Sequence, residues 1–76
     1  MFSLTFKAFI KIIEDNGFVV YRQNGTSHCI YKGHIGGKVR MIVVACHNRN
    51  DHIKPGTLSA MIRQSGISKK TFRNSK

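Results

Sequence analysis

The chain has 76 residues, of which 13 are Lys or Arg and 3 are Asp or Glu, so its formal net charge is +10. This length predicts one small domain spanning residues 1–76 and leaves no room for a second core. An apolar fraction of 41% argues against a disordered basic tail, and the charge predicts a polyanionic ligand.

No apolar run approaches the ~20 residues that a membrane-spanning helix requires. The first residues lack the charged start, long apolar stretch and cleavage site of a secretory signal. We therefore expect a cytoplasmic protein with no membrane association. Under those conditions Cys29 and Cys46, each within an apolar strand-like segment, are expected to be buried thiols and not a disulfide.

The first predicted elements are a helix and a β-hairpin. Apolar residues at helical spacing predict the helix over about residues 5–16, with Thr5 as the N-cap and Asn16-Gly17 at the end. The β-branched and aromatic run of residues 18–21 then predicts a strand, and Asn24-Gly25 is a strong hairpin-turn signal.

The second half of the chain is predicted to hold a third strand and a second helix. Three glycines indicate the turn before the strand, which covers residues 39–46: Gly33, Gly36 and Gly37. Pro55 begins the helix and Gly66 ends it. Ser68 is predicted to cap a short final turn containing Phe72, and residues 73–76 are expected to fray.

These elements predict an α+β fold of order α-β-β-β-α with a three-stranded antiparallel sheet. Neither helix can bury its apolar stripe alone, so both are expected to cover the same face of the sheet. The other face of the sheet is then left open to solvent.

Residues 22–32 combine a glycine turn, hydroxyls, an imidazole and cations, a composition suited to handling phosphate. A hairpin with polar residues beside its turn would show the same composition. If Cys29 and Tyr31 face the helices, alternation places His28 and Lys32 on the open face. Arg40, from the third strand, is predicted to join them.

Several blocks of the sequence, in this order and over nearly the whole chain, resemble the HicA mRNA interferase toxins of type II toxin–antitoxin modules. The blocks are Asn16-Gly17-Phe18, Arg22-Gln23, Gly25-Thr26-Ser27-His28, Lys54-Pro55-Gly56-Thr57-Leu58 and Ile62-Arg63-Gln64-Ser65-Gly66-Ile67-Ser68. The resemblance implies a double-stranded-RNA-binding-domain-like fold, endoribonuclease activity on mRNA and inhibition by a HicB antitoxin. It also places the family's catalytic histidine at His28 and its glycine at Gly25.

The chain departs from the family at two places. Cys29 stands where the family motif often has a second histidine. Many members also extend the final helix further than residues 72–76 of this chain. The first departure is expected to alter packing and not the chemistry.

The mechanism that fits both the resemblance and the residues is acid–base cleavage without a metal or cofactor. Three acidic residues form no evident two-metal cluster. His28 is expected to take the proton of a 2′-hydroxyl, which then attacks the adjacent phosphorus. The predicted phosphate-binding residues are Arg22, Gly25, Ser27, Lys32 and Arg40. An acidic antitoxin that covers the open face would inhibit the reaction.

Other interpretations of the same residues are weaker. Gly33-His34-Ile35-Gly36 matches the GxxG loop of KH domains, but its flanks are strand-like and not helical. Zinc ligands from Cys46, His47 and His52, with Cys29 or His34, lack a regular metal-binding spacing. A non-catalytic RNA-binding module on the same basic surface remains the main alternative, and a DNA-binding accessory protein is a third possibility.

Overall fold

The computed structural model describes residues 3–24, 28–45 and 48–74. The three strands form one antiparallel sheet in the order β1-β2-β3. The predicted α+β architecture is confirmed, and the predicted final turn forms a third helix. The elements in chain order are α1 (Phe6–Asp15), β1 (Val19–Asn24), β2 (His28–Ile35), β3 (Lys38–Ala45), α2 (Pro55–Ser65) and α3 (Lys69–Asn74).

Helix α1 begins and ends at the predicted signals. The Oγ1 atom of Thr5 accepts a hydrogen bond of 3.1 Å from the backbone N–H of Ala8, which otherwise has no partner in the first turn. Asn16 caps the other end, and its side chain donates to the carbonyl of Ile12 at 2.8 Å. Gly17 follows with a φ of 95°, a conformation that glycine adopts without strain.

Helices α2 and α3 are joined by a tight turn at Gly66, which has a φ of 72°. Within this turn the Ser65 hydroxyl donates to Ile62 at 2.6 Å and accepts from the Ile67 N–H at 3.0 Å. Ser68 Oγ then accepts from the N–H of Thr71 at 3.3 Å, as a residue at the start of a helix does. The helix that follows continues through residues 73–74, further than the sequence indicated, and residues 75–76 lie outside the described part.

The core lies between the helices and one face of the sheet. Phe9 of α1 and Phe72 of α3 stack with ring centroids 5.1 Å apart and an interplanar angle of 13°, which fixes α3 against α1. The buried apolar side chains are Leu4, Phe9, Ile10, Ile12, Ile13, Phe18, Cys29, Tyr31, Ile42, Val44, Ile53, Leu58, Met61, Ile62, Ile67 and Phe72. Across the described residues, no helix has the length and apolar character needed to cross a membrane.

Gly33 does not belong to the second turn, and that prediction was wrong. It lies in β2, where it is buried beneath the ring of Phe18. A Cβ atom on Gly33 would lie 2.8 Å from two carbon atoms of that ring, so only glycine leaves the ring its space. The turn itself consists of Gly36 and Gly37, whose φ angles are 63° and 78°.

A short backbone contact that the sequence did not indicate ties the start of α1 to the segment before α2. The N–H of Phe6 donates to the carbonyl of Asp51 at 3.0 Å, and the N–H of Ile53 donates to the carbonyl of Leu4 at 2.9 Å. These hydrogen bonds place Leu4 and Ile53 in the core, where each is less than 4% exposed.

Candidate nucleic-acid interface

The two faces of the sheet differ in burial. On β2, Cys29 and Tyr31 are 4% and 1% exposed and pack under the helices. The alternate residues of β2 and their partners on β3 form the opposite surface, which we call the open face. Its residue pairs across these two strands are His28 with Ala45, Ile30 with Val43, Lys32 with Met41 and His34 with Val39.

His28 is exposed at the first position of β2. It pairs with Asn24 of β1 on one side and with Ala45 of β3 on the other. The sequence prediction that this imidazole lies on the open face, and not beneath the helices, agrees with this position. Its place depends on strand alternation, since the neighbouring Cys29 points to the opposite face and is buried.

Two cations share the open face with the imidazole. Arg22 of β1 pairs with Ile30, so His28 and Lys32 are its two diagonal neighbours on β2. Diagonal neighbours in an antiparallel pair lie about 7–8 Å apart, within reach of a long side chain. None of the three strands contains an acidic residue that would neutralise these charges. The arrangement can therefore hold a phosphate close to His28.

Tyr21 is a residue of this surface that the sequence analysis treated only as part of a strand. The register shifts between Val20, which pairs with Tyr31, and Arg22, which pairs with Ile30, so Tyr21 is the extra residue of a β-bulge. Tyr21 is 54% exposed, and the Nζ atom of Lys32 lies 5.0 Å from the centroid of its ring. Composition identifies an aromatic residue here but gives no sign of the register shift that puts Tyr21 and Arg22 on the same face.

A row of apolar side chains lies beside the cations. Val39, Met41 and Val43 of β3 are 53%, 47% and 54% exposed. Contiguous apolar side chains on a protein surface are characteristic of interaction sites. We call the part of the open face on β1 and β2 the basic half, since it holds Arg22 and Lys32 beside the exposed Val19, and the part on β3 the apolar half.

The prediction that Arg40 joins the open face was wrong. Arg40 pairs with Gly33 and shares its face with the buried residues Ile42 and Val44. Its side chain lies against Gly66 at the end of α2, and its Nε atom is buried without a hydrogen-bond partner among the described residues. Both sets of alternate residues in β3 include apolar side chains, so the sequence pattern alone did not determine which face of the strand is buried.

Four residues of the predictions lie in the two internal gaps of the described chain. Gly25 and Ser27, predicted to bind phosphate, lie outside the described residues, as do Cys46 and His47, so the prediction about a disulfide remains a prediction. Among the described side chains, no group of three or more His, Cys, Asp or Glu is arranged to hold a metal ion. Cys29 lies on the helix-covered face, which agrees with a role in packing.

The chain matches a known protein family over most of its length. The family model of the HicA toxin, a toxin of bacterial toxin–antitoxin systems, matches residues 6–67. No curated protein and no solved structure matches the chain. The matched segment begins with the first residue of α1 and ends just beyond the Gly66 turn. It therefore includes α1, the whole sheet and α2. Because the match extends over far more than half of its length, the chain belongs to the HicA toxin family.

Proposed function

We propose that this toxin is an endoribonuclease that cleaves mRNA at the open face of its sheet. The observation that supports the proposal is the position of His28, an exposed imidazole with Arg22 as its diagonal neighbour and Lys32 further along the same face. The strands of this surface contain no acidic residue. An imidazole exchanges protons near neutral pH, and the two cations attract the RNA backbone.

The proposed reaction needs no metal or cofactor. His28 takes the proton from a ribose 2′-hydroxyl, and the oxygen forms a bond to the adjacent phosphorus. The bond from phosphorus to the 5′ oxygen breaks, and that oxygen leaves as a hydroxyl after gaining a proton from the imidazolium or from water. Arg22, Lys32, the Ser27 hydroxyl and the backbone N–H groups near Gly25 stabilise the negative charge on phosphate. The products end in a 2′,3′-cyclic phosphate and a 5′-hydroxyl.

Incubation with labelled RNA in EDTA tests this mechanism. A general base contributes about 10²–10⁴-fold, so His28→Ala is expected to lose detectable cleavage while it keeps its affinity for RNA. His34→Ala is the matched control, because His34 shares the strand and the face but lies about 20 Å along β2 from His28. Products with a 5′-phosphate, or cleavage by His28→Ala, would contradict the mechanism.

The same assay distinguishes the alternative function. A non-catalytic RNA-binding module would use the same basic surface and would bind the labelled RNA without shortening it, both as the parent protein and as His28→Ala. Cleavage by the parent protein alone supports the enzyme.

We further propose that an acidic antitoxin of the HicB type inhibits the toxin by covering the open face. Carboxylates of the partner would pair with Arg22 and Lys32, and its apolar side chains would bury the row formed by Val39, Met41 and Val43. Such a partner excludes RNA from His28 by occupying the same surface.

Two charge substitutions test this docking surface. Val43→Glu places a carboxylate in the apolar row and is expected to weaken antitoxin affinity at least tenfold, by repelling an acidic partner and leaving a charge buried. Ser59→Glu adds the same charge to an exposed position of α2 and is expected to have no effect. A complex in which the His28 imidazole still reacts with diethyl pyrocarbonate at the rate of the free toxin would exclude inhibition by occlusion.

A further inference from the structure

The β-bulge in β1 puts two successive residues, Tyr21 and Arg22, on the surface on which we propose that RNA is cleaved. Tyr21 has no partner in β2, because the register passes from Val20–Tyr31 directly to Arg22–Ile30. Bulges commonly redirect a side chain and often occur next to active sites. The ring of Tyr21 lies in the basic half of the open face and is not part of the buried core.

The ring and its neighbours provide the two kinds of contact that a nucleotide makes. The Nζ atom of Lys32 lies 5.0 Å from the ring centroid, and Arg22 is the next residue in the chain. Even with Lys32 in contact, 54% of the Tyr21 surface remains exposed, which leaves apolar ring area for a second planar group. An aromatic ring beside cations offers stacking to a base and charge to the adjacent phosphates.

We infer that Tyr21 forms a base-stacking subsite for single-stranded RNA, adjacent to the phosphate site at His28. This inference rests on the proposed ribonuclease function and identifies the form of RNA that it recognises. Bases within a duplex present only their edges, whereas an unpaired base is free to stack on an aromatic side chain. The subsite therefore selects unpaired RNA with little preference among the bases, since every base has a π face.

Charge favours RNA over a second copy of the chain as the occupant of the basic half. Each copy carries a formal charge of +10, so two basic halves placed together would repel, whereas RNA brings compensating phosphates. The antitoxin is the other candidate for contact with the ring, and the binding experiments below separate it from RNA.

Fluorescence provides a direct test, because the chain contains no tryptophan. Tyr21→Trp in a His28→Ala background introduces a single reporter into a protein that is expected not to cleave its ligand. Short single-stranded RNA is expected to quench this emission in a saturable manner. An abasic ribose-phosphate oligomer of the same length is expected to bind through charge without quenching. Val39→Trp, an equally exposed position on β3, is the control and is expected to show little quenching.

Affinity measurements supply the second test. Tyr21→Phe keeps the ring and is expected to bind the RNA as the parent does, whereas Tyr21→Leu is expected to bind about tenfold more weakly. The salt dependence of binding is expected to stay the same in both variants, because a phenol neutralises no phosphate. Equal melting temperatures of the Leu and Phe variants would show that a loss of affinity does not come from a loss of folding.

The outcomes separate this subsite from the proposed cleavage. Equal RNA affinity of the Leu and Phe variants, or equal quenching by the abasic oligomer, would overturn the subsite while cleavage by His28 could still hold. If Tyr21→Leu weakens antitoxin binding but leaves RNA binding unchanged, the ring belongs to the antitoxin interface and the inference is wrong. An active His28→Ala would overturn the cleavage mechanism, whereas the affinity difference between the Leu and Phe variants bears on the subsite alone.

Discussion

The side chain of Arg40 packs directly on the backbone of Gly66. A Cβ atom on Gly66 would lie 2.7 Å from Nε and 2.9 Å from Cζ of Arg40. Arg40 lies on β3 and Gly66 ends α2, so this contact joins the sheet to the turn between α2 and α3. The absence of a side chain at Gly66 therefore serves two purposes, since its φ of 72° also favours glycine.

Gly66→Ala is expected to destabilise the protein more than Gly17→Ala does. Both glycines have a positive φ, for which an L residue costs about 1–2 kcal/mol, but a Cβ on Gly17 meets no atom within 4 Å. The contact with Arg40 is expected to add less than the about 1–3 kcal/mol of core overpacking, because the atoms that a Cβ would meet lie at the flexible end of the Arg40 side chain. Urea unfolding of both variants measures the difference, and adding Arg40→Ala to Gly66→Ala should recover part of it. Equal losses in the two single variants would mean that Arg40 gives way freely.

The revised position of Arg40 predicts that it contributes less to RNA binding than Arg22 and Lys32 do. In a His28→Ala background, Arg22→Gln and Lys32→Gln are each expected to lower the slope of log affinity against log salt by about 0.7, the value for one contact with single-stranded phosphate. Arg40→Gln is expected to leave the slope unchanged and to lower the melting temperature, because its side chain packs on Gly66. A reduced slope for Arg40→Gln would return this residue to the RNA surface.

Gly33→Ala is expected to cost about 1–3 kcal/mol through overpacking against the ring of Phe18. Gly56→Ala is the matched control, because a Cβ at that position in the first turn of α2 meets no atom within 4 Å. The control is expected to be neutral or slightly stabilising, since alanine reduces the freedom of the unfolded chain. Denaturant unfolding checks both variants, and a neutral Gly33→Ala would show that the Phe18 ring moves at no cost.

Removal of the Phe72 ring is expected to cost about 3–5 kcal/mol, a large part of the stability of a domain of this size. Phe72 is fully buried and stacks on Phe9, so its loss leaves a cavity between α3 and α1. Phe72→Leu is expected to cost less than Phe72→Ala because it fills more of the space, and the exposed Arg73→Ala is expected to be close to neutral. Thermal unfolding ranks the three, and a stable Phe72→Ala would show that α3 is dispensable.

The sequence was sufficient for the elements whose signals are local. Thr5, Asn16, Pro55 and Gly66 mark helix ends through side-chain hydrogen bonds or backbone conformation, and each lies where it was predicted. The exposure of His28 also followed from alternation on β2, where only one face is apolar enough to be buried.

The sequence-based predictions failed where the pairing of distant segments decides which face a residue occupies. Both faces of β3 are apolar, so the side taken by Arg40 depends on its pairing with Gly33. The shared face of Tyr21 and Arg22 depends on an extra residue in β1 relative to β2. This register shift is a property of the paired strands and cannot be read from the sequence of either strand alone. Gly33 resembles a turn residue until the ring of Phe18 is placed upon it.

The fit of the Phe18 ring over Gly33 also controls which functional group β2 presents to solvent. A slip of one residue in this strand would turn the Cys29 thiol outward and carry the His28 imidazole into the interior. Such a slip would also bring Lys32 or His34 beneath the ring, and both carry a Cβ atom for which there is no space. The packing of Phe18 on Gly33, on the covered side of the sheet, thus fixes the register that exposes His28. Losing this packing is expected to abolish the proposed cleavage without altering any residue of the proposed RNA site.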